Sequence, residues 1–287
     1  MKRKIGIIID SLRLGARDGI RKAKELGADG FQIYCTGGEM APENLSKAAR
    51  RELREFVSGL GLEISALCGD IGKGFLDRSS NPEVTKRTRE FVDLAVDLGT
   101  RVVTSHIGHL PEDESHEYWQ TGAEALSELG SYAESRGCVI AMETGPEEPA
   151  LLRRFLDRIG GKGLGVNYDP ANLVMCGPFD HLGGVEILKD YIVHTHAKDG
   201  VCLKSFRSAK GGAWDWNNMK ILEVPLGEGG VAFKHYLKAL DDIGYKGYLT
   251  IEREVGDDPA RDVGAAVKFL RSFETRQARA SRPARKT

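Results

Sequence analysis

Apolar and polar positions along the chain alternate between two rhythms. Short β-rich runs, such as residues 5–9, 30–34 and 101–105, are separated by longer stretches whose apolar residues recur with helical spacing. The clearest helical stretch has Asn81 as N-cap, Pro82 at its first position, apolar Phe91, Leu94, Ala95 and Leu98, and Gly99 at its end. A second runs from Pro42 through Leu45, Ala49, Leu53 and Phe56 to Leu60. Most helical stretches close at glycine just before a strand: Gly27 before 30–34, Gly61 before 62–67, Gly99 before 101–105, Gly137 before 138–142, Gly160-Gly161 before 164–168, and Gly244 before 247–251. Glycine just past a helix accepts the left-handed conformation that ends it and turns the chain. With residues 5–9 and 191–195 added, the strand candidates number eight.

Right-handed crossovers convert such alternation into a parallel sheet, and eight units in about 270 residues predict an α/β fold, a single-domain (β/α)8 TIM barrel. The barrel is expected over residues 1–274. Residues 275–287, with Arg276, Arg279, Arg282, Arg285 and Lys286 and no apolar face, read as a basic, disordered tail. No G-x-G-x-x-G follows the first strand, which argues against a doubly wound dinucleotide fold. Between the seventh strand and a helix starting near Val231 lies the segment 197–230, with Trp214, Asp215, Trp216 and several glycines. It far exceeds the usual βα loop of about 2–6 residues, so it is expected to cover or complete a site.

Charge narrows the class of partner. Lys and Arg number 41 against 42 Asp and Glu, so nothing draws the chain generally to nucleic acid or membrane, and a small molecule is the expected partner. The five cysteines, Cys35, Cys68, Cys138, Cys176 and Cys202, show no C-x-x-C and read as small buried hydrophobes. The basic start, Lys2-Arg3-Lys4, precedes an apolar run that Asp10 interrupts too early for a secretory signal, and no stretch is long enough to span a membrane. A cytoplasmic location is the expectation.

Barrel enzymes place their chemistry at the C-terminal ends of strands. There stand Glu143 after strand five, Asp169 after strand six, His196 after strand seven and Glu252 after strand eight, each where an apolar run turns polar. Three carboxylates aimed at one point repel without a cation, and oxygen-rich ligation with one imidazole suits a divalent ion. Mn2+ is foremost, with Mg2+, Co2+, Fe2+ or Zn2+ as alternatives; the site then keeps a charge near −1, suited to a neutral polyol-derived or carbonyl compound. His194 points to the same side as His196 but one layer deeper, as a supporting or core histidine. His106, after strand four, is a candidate substrate contact, while His109 and His116 read as surface residues. Gly37-Gly38 and Gly72-Lys73-Gly74 read as plain turns rather than phosphate loops.

Met142-Glu143-Thr144-Gly145, Asn167-Tyr168-Asp169-Pro170-Ala171-Asn172-Leu173, His194-Thr195-His196-Ala197-Lys198-Asp199, Pro225-Leu226-Gly227-Glu228-Gly229 and Ile251-Glu252-Arg253-Glu254 together resemble the xylose-isomerase-like sugar phosphate isomerase/epimerase superfamily over residues 4–272. The resemblance implies a TIM barrel holding one divalent ion on Glu143, Asp169, His196 and Glu252. Glu143 and Glu252 are then also the acid/base pair of a sugar isomerase or epimerase that abstracts a proton beside a carbonyl and passes through an enediolate. Two alternatives accompany it: a dehydratase of a keto-inositol or keto-sugar using the same residues, and an accessory metal-binding barrel in a sugar-processing complex. Two departures bear on the substrate. Asn172 stands where ketose 3-epimerases carry His, and Cys202 where they carry Arg. Asn172 can still bind a substrate hydroxyl, Lys198, Lys204 or Arg207 offers a replacement cation, and Trp214 is a candidate pocket wall. The missing histidine also argues against the trinuclear DNA-repair branch. Barrels of this superfamily often pair, which makes a homo-oligomer an expectation as well.

Overall fold

A computed structural model of the chain describes residues 2–176, 179–204 and 220–280, without the side chains of residues 204 and 275–280. The described strands are β1 (Lys4–Ile8), β2 (Gly30–Tyr34), β3 (Glu63–Cys68), β4 (Val102–Ser105), β5 (Val139–Glu143), β6 (Leu164–Tyr168), β7 (Ile192–Ala197), β8 (Asp199–Lys204), β9 (Lys220–Val224) and β10 (Tyr248–Ile251). The helices are α1 (Ala16–Glu25), α2 (Lys47–Gly59), α3 (Asn81–Leu98), α4 (Glu117–Ser135), α5 (Pro149–Ile159), α6 (Pro170–Cys176), α7 (Gly183–Ile187), α8 (Phe233–Asp242) and α9 (Pro259–Ala280). Strands β1 to β7 and β10 form one closed parallel barrel in which β10 lies between β7 and β1. This is the (β/α)8 architecture read from the alternation.

The glycine stops hold: Gly27, Gly61, Gly99, Gly137, Gly160, Gly161 and Gly244 all adopt φ between 65 and 90°. Three boundaries differ from expectation. Helix α2 starts at Lys47 rather than Pro42, because the Ser46 hydroxyl caps it by accepting from Ala49 N at 3.2 Å. The Arg50 guanidinium meanwhile holds the lead-in by donating to the carbonyls of Pro42 and Leu45 at 2.8 and 2.9 Å. The long segment after β7 is not a plain loop at its base but the antiparallel hairpin β8–β9, in which Val201 pairs with Leu222. Residues 205–219, Trp214 among them, lie outside the described residues. Helix α9 runs to Ala280, past the expected boundary at 274, because Arg276, Gln277 and Ala278 are good helix formers that need no packed face to continue it.

Alternation along the strands sorts the barrel into two chemistries. Ile5, Ile7, Phe31, Ile33, Val103, Ile140, Val166, Leu249 and Ile251 are buried in one apolar core that also contains Phe91, Trp119 and Phe155 from the helices. The other alternate set fills the barrel itself, and in its upper part it is polar. His194 on β7 reaches across to Ser65 on β3, Nε2 to Oγ 3.3 Å, and His196 on β7 reaches Gln32 on β2, Nε2 to Oε1 3.0 Å. The strands of each pair are not neighbours, so these contacts cross the interior. Gly6 makes room for this set, since a Cβ there would stand 2.6 Å from Thr250 Oγ1. Gly6→Val is therefore expected to cost about 1–3 kcal/mol by overpacking, read as a lower urea midpoint with unchanged slope; an unchanged midpoint would show that the interior has slack.

Candidate metal centre at the mouth of the barrel

Glu143 ends β5, Asp169 and Glu252 stand one residue past β6 and β10, His196 stands one residue before the end of β7, and there the four predicted ligands meet. Atoms of Glu143, Asp169, His196 and Glu252 all lie within 4.8 Å of one another, and all four residues are buried. His196 Nδ1 is 3.0 Å from Glu252 Oε2 and 3.5 Å from both Glu143 Oε1 and Asp169 Oδ2. A donor ring of this size fits around a single ion with ligand bonds of about 2.0–2.3 Å.

Surrounding groups aim each ligand. Asp169 Oδ1 caps α6, accepting from Ala171 N at 2.7 Å and Asn172 N at 3.1 Å, and Asp169 N donates to Thr144 Oγ1 at 2.8 Å. Its Oδ2 is left buried with no hydrogen-bond partner, and so is Glu252 Oε2. Leaving such an atom unpaired is costly, so these two oxygens ask for a cation. Glu143 accepts from Asn172 Nδ2 at 2.9 Å on one oxygen and from Asn167 Nδ2 at 3.1 Å on the other. His196 Nε2 lies 3.0 Å from Gln32 Oε1, whose own amide donates to Thr104 Oγ1 at 3.1 Å, so Nδ1 faces the carboxylates; burial disfavours its charge, but Glu143 and Glu252 hold the pKa well above the ordinary imidazole value, so Nδ1 keeps a proton until a cation takes its place. Below it His194 bridges Asn167 Oδ1 at 2.8 Å and Thr250 Oγ1 at 2.9 Å. Burial pulls the pKa of His194 far down, so it stays neutral and serves as scaffold, the deeper position expected for it.

Burial disfavours charge on all three carboxylates. At Glu143 the imidazoles of His196 and His106 overcome it, and at Glu252 Lys198 and His196 do, so both stay below the ordinary carboxyl range. Asp169 has no such surplus: burial, with Glu252 and Glu143 nearby, holds its pKa above the usual value. Half-exposed His106 sits at the edge, with Nδ1 2.5 Å from Asp70 Oδ2 and Nε2 3.8 Å from Glu143 Oε1. Desolvation would lower its pKa, but Glu143 and Asp70 lift it to about 9.

The expected substrate contacts fall in different places. His106 faces the mouth beside Glu143, whereas Asn172 is turned onto Glu143 and also donates to Thr144 O at 3.2 Å. Lys198 is buried with Nζ 3.3 Å from Glu252 Oε1 and 2.8 Å from Glu254 Oε2. Gln32 and Asn167 were not assigned site roles in the sequence. Gln32 carries a visible signal, a polar residue between Phe31 and Ile33 in a wholly buried stretch. His116 caps α4 by accepting from Tyr118 N, and His109 is half-buried rather than superficial.

A family model described as xylose isomerase-like TIM barrel matches residues 20–273. The chain belongs to this family. An inosose dehydratase of Geobacillus thermodenitrificans is 30% identical over 255 residues, 82% of this chain and 81% of that protein. An uncharacterised protein of Methanocaldococcus jannaschii is 25% identical over 247 residues, covering 82% of this chain and 78% of its own length. Among solved structures, a xylose isomerase domain protein from Planctomyces limnophilus superposes with a TM-score of 0.80 at 23% identity, covering 96% of this chain and 98% of that one. No helix among the described residues is long and apolar enough to cross a membrane.

The raised pKa of Asp169 carries a sign. A carboxyl held above its unfolded value contributes stability only below that value, and at neutral pH its ionised form opposes folding. Metal-free Asp169→Asn, which keeps the oxygen that caps α6, is expected to unfold at no lower urea concentration than the metal-free wild type at pH 7. Added Mn2+ is expected to raise the midpoint of the wild type alone. A loss of about 1 kcal/mol or more in the metal-free variant would contradict this assignment.

Proposed function

We propose that the chain is a metal-dependent enzyme that removes a proton beside the carbonyl of a sugar or sugar-derived hydroxy-ketone, yielding an isomer or epimer. The observation that carries this reading is the buried ring of Glu143, Asp169, His196 and Glu252, in which one oxygen of Asp169 and one of Glu252 face His196 Nδ1 without a hydrogen bond among the described residues. These four residues would hold one divalent ion, Mn2+ foremost by the mixed carboxylate and imidazole donor set. When bound, such an ion polarises a carbonyl and stabilises negative charge developing on its oxygen.

The chain's own groups do the rest. Glu143 and Glu252 approach the ring from β5 and β10, two strands on different sides of the mouth, so one can take a proton from the substrate carbon and the other return one. Asn172 and Asn167 fix the plane of the Glu143 carboxylate, and Lys198 fixes that of Glu252. His106, oriented by Asp70, presents Nε2 to a substrate oxygen. We take the working location to be the cytoplasm and the partner to be a small polyol-derived molecule.

Dehydration is the second reading, favoured by the 30% identity to an inosose dehydratase. It starts with the same proton abstraction; a β-hydroxyl then leaves as water, protonated by the charged His106 that lies 3.8 Å from Glu143. Product analysis separates the two: unchanged mass for an isomer, loss of water with new ultraviolet absorbance for an alkene.

Glu143→Gln and Glu252→Gln are each expected to lower solvent-deuterium incorporation into the substrate by about 10²–10⁴-fold while the far-ultraviolet circular dichroism stays that of the wild type. Near-normal exchange in either variant would sink the two-carboxylate mechanism.

A further inference from the structure

The loop that joins β5 to α5, residues 144–148, buries a carboxyl that the metal ring does not use. Glu147 is 3% exposed, and neither of its carboxyl oxygens has a hydrogen-bond partner among the described residues. At Asp169 and Glu252 only one oxygen is so placed. Groups of the chain that could have served Glu147 are engaged elsewhere: the Leu151 and Leu152 amides at the start of α5 donate to Glu148 O at 2.9 and 3.2 Å, and Arg154 Nε donates to Glu114 Oε1 at 2.9 Å. The Glu147 side chain lies back over its own loop, with Oε2 3.8 Å from the place a Cβ would take on Gly145, two residues past Glu143. His106 and Cys176 bracket it, each within electrostatic reach of Glu147 and of one ring carboxylate, Glu143 for His106 and Asp169 for Cys176. Glu147 also lines a cavity of about 310 Å3 whose walls include Leu110, Glu112, Leu151, Arg154 and Phe179. These residues come from the segments that follow β4, β5 and β6, three neighbouring strands, so the cavity lies at the same end of the barrel as the ring, on the side of Glu143.

A buried carboxyl without partners costs free energy, and a folded chain that keeps one has a use for it. Burial pushes the Glu147 pKa up to about 7, and the nearby Glu147 amide, the His106 imidazole and the Gly145 amide offset this only in part. A carboxyl in that range both donates and accepts near neutral pH, which matches a hydroxyl group. An ion is a poor occupant: among the described residues only Glu143, Asp169, His196 and Glu252 converge as metal donors. Leu110, Leu151 and Phe179 give the cavity an apolar wall beside the carboxyl, and a sugar or cyclitol ring has both a C–H face and hydroxyl edges to meet them. The volume lies at the small end of the range of about 300–1,000 Å3 in which small molecules bind.

We propose that this cavity is a binding subsite for a neutral polyhydroxy unit of about one sugar ring, held by its hydroxyl groups on Glu147 and by its C–H face on Leu110, Leu151 and Phe179. In the reaction proposed above it receives a part of the substrate remote from the carbonyl at the ring, and that use rests on the proposed reaction. The binding itself rests on Glu147 and the cavity alone.

The full chain, stripped of metal with a chelator, is titrated with myo-inositol, D-glucose and methyl β-D-glucopyranoside as polyol probes and with ethylamine as a cationic one, and binding is followed by saturation-transfer NMR. Wild type and Asp169→Asn are expected to bind at least one polyol saturably and alike, because Asp169 belongs to the ring and not to the cavity. Glu147→Leu is expected to weaken that binding by about tenfold or more, as loss of a hydrogen bond to a charged group does, and Glu147→Gln, which keeps a donor and an acceptor, by less. Glu148→Trp, at an exposed position on the cavity wall, fills the space with Glu147 intact and is expected to weaken binding as Glu147→Leu does. No polyol bound by the wild type, affinity unchanged in Glu148→Trp or in a folded Glu147→Leu, loss of binding in Asp169→Asn alone, or ethylamine preferred to every polyol each overturns the proposal. In urea without ligand, Glu147→Leu is expected to unfold at no lower concentration than the wild type. A lower midpoint in both Glu147→Leu and Glu147→Gln makes Glu147 a structural group and overturns the proposal as well. If Glu147→Leu does not fold, Glu147→Gln and Glu148→Trp decide. These titrations need neither metal nor turnover, so a chain that binds polyol through Glu147 and exchanges no substrate proton refutes the proposed reaction and leaves the subsite standing.

Discussion

Mutual repulsion among three buried carboxylates is the constraint around which the upper barrel is arranged. Glu143, Asp169 and Glu252 are too close and too buried to be stable as bare anions, and the chain answers with partial compensation only. Lys198 pairs with Glu252, His106 lies near Glu143, and His196 faces all three. Asp169 Oδ2 and Glu252 Oε2 still have no hydrogen-bond partner among the described residues. A fold that commits so much polar apparatus to one point and leaves it short of positive charge is poised for a divalent cation.

Supporting the ring accounts for much of what is unusual in the barrel. Barrel interiors are ordinarily filled with branched aliphatic residues. Here Gln32, Thr104, Asn167, His194 and Thr250 form a hydrogen-bonded column that sets the orientation of the His196 ring and the plane of Glu143. Fully satisfied polar networks of this kind are rigid, which is what ligands of a metal need if they are not to relax onto each other.

Much of this was legible in the sequence, for identifiable reasons. The strands were readable because glycines mark nearly every helix end, and the ligands because each stands where an apolar strand turns polar at the same end of the barrel. What escaped was decided by three-dimensional pairing. Asn172 and Lys198 looked like groups facing a substrate, and only the fold reveals that their polar ends meet Glu143 and Glu252. Leu45 kept the helical stripe going on paper, but the Ser46 cap and the Arg50 bridge exclude residues 42–46 from α2. The hairpin β8–β9 was hidden by glycine density around it, although Val201 and Leu203 already alternate as a strand. The role of Gln32 is settled only by the fold, because its partner, His196, is 164 residues away.

The most direct test of the central claim is crystallographic. Crystals of the wild type equilibrated with Mn2+ are measured at a wavelength where manganese scatters anomalously. The account predicts a single strong anomalous peak within bonding distance of Glu143, Asp169, His196 and Glu252. A protein that crystallises with these four side chains in place and shows no peak there, or binds manganese only elsewhere, would contradict it.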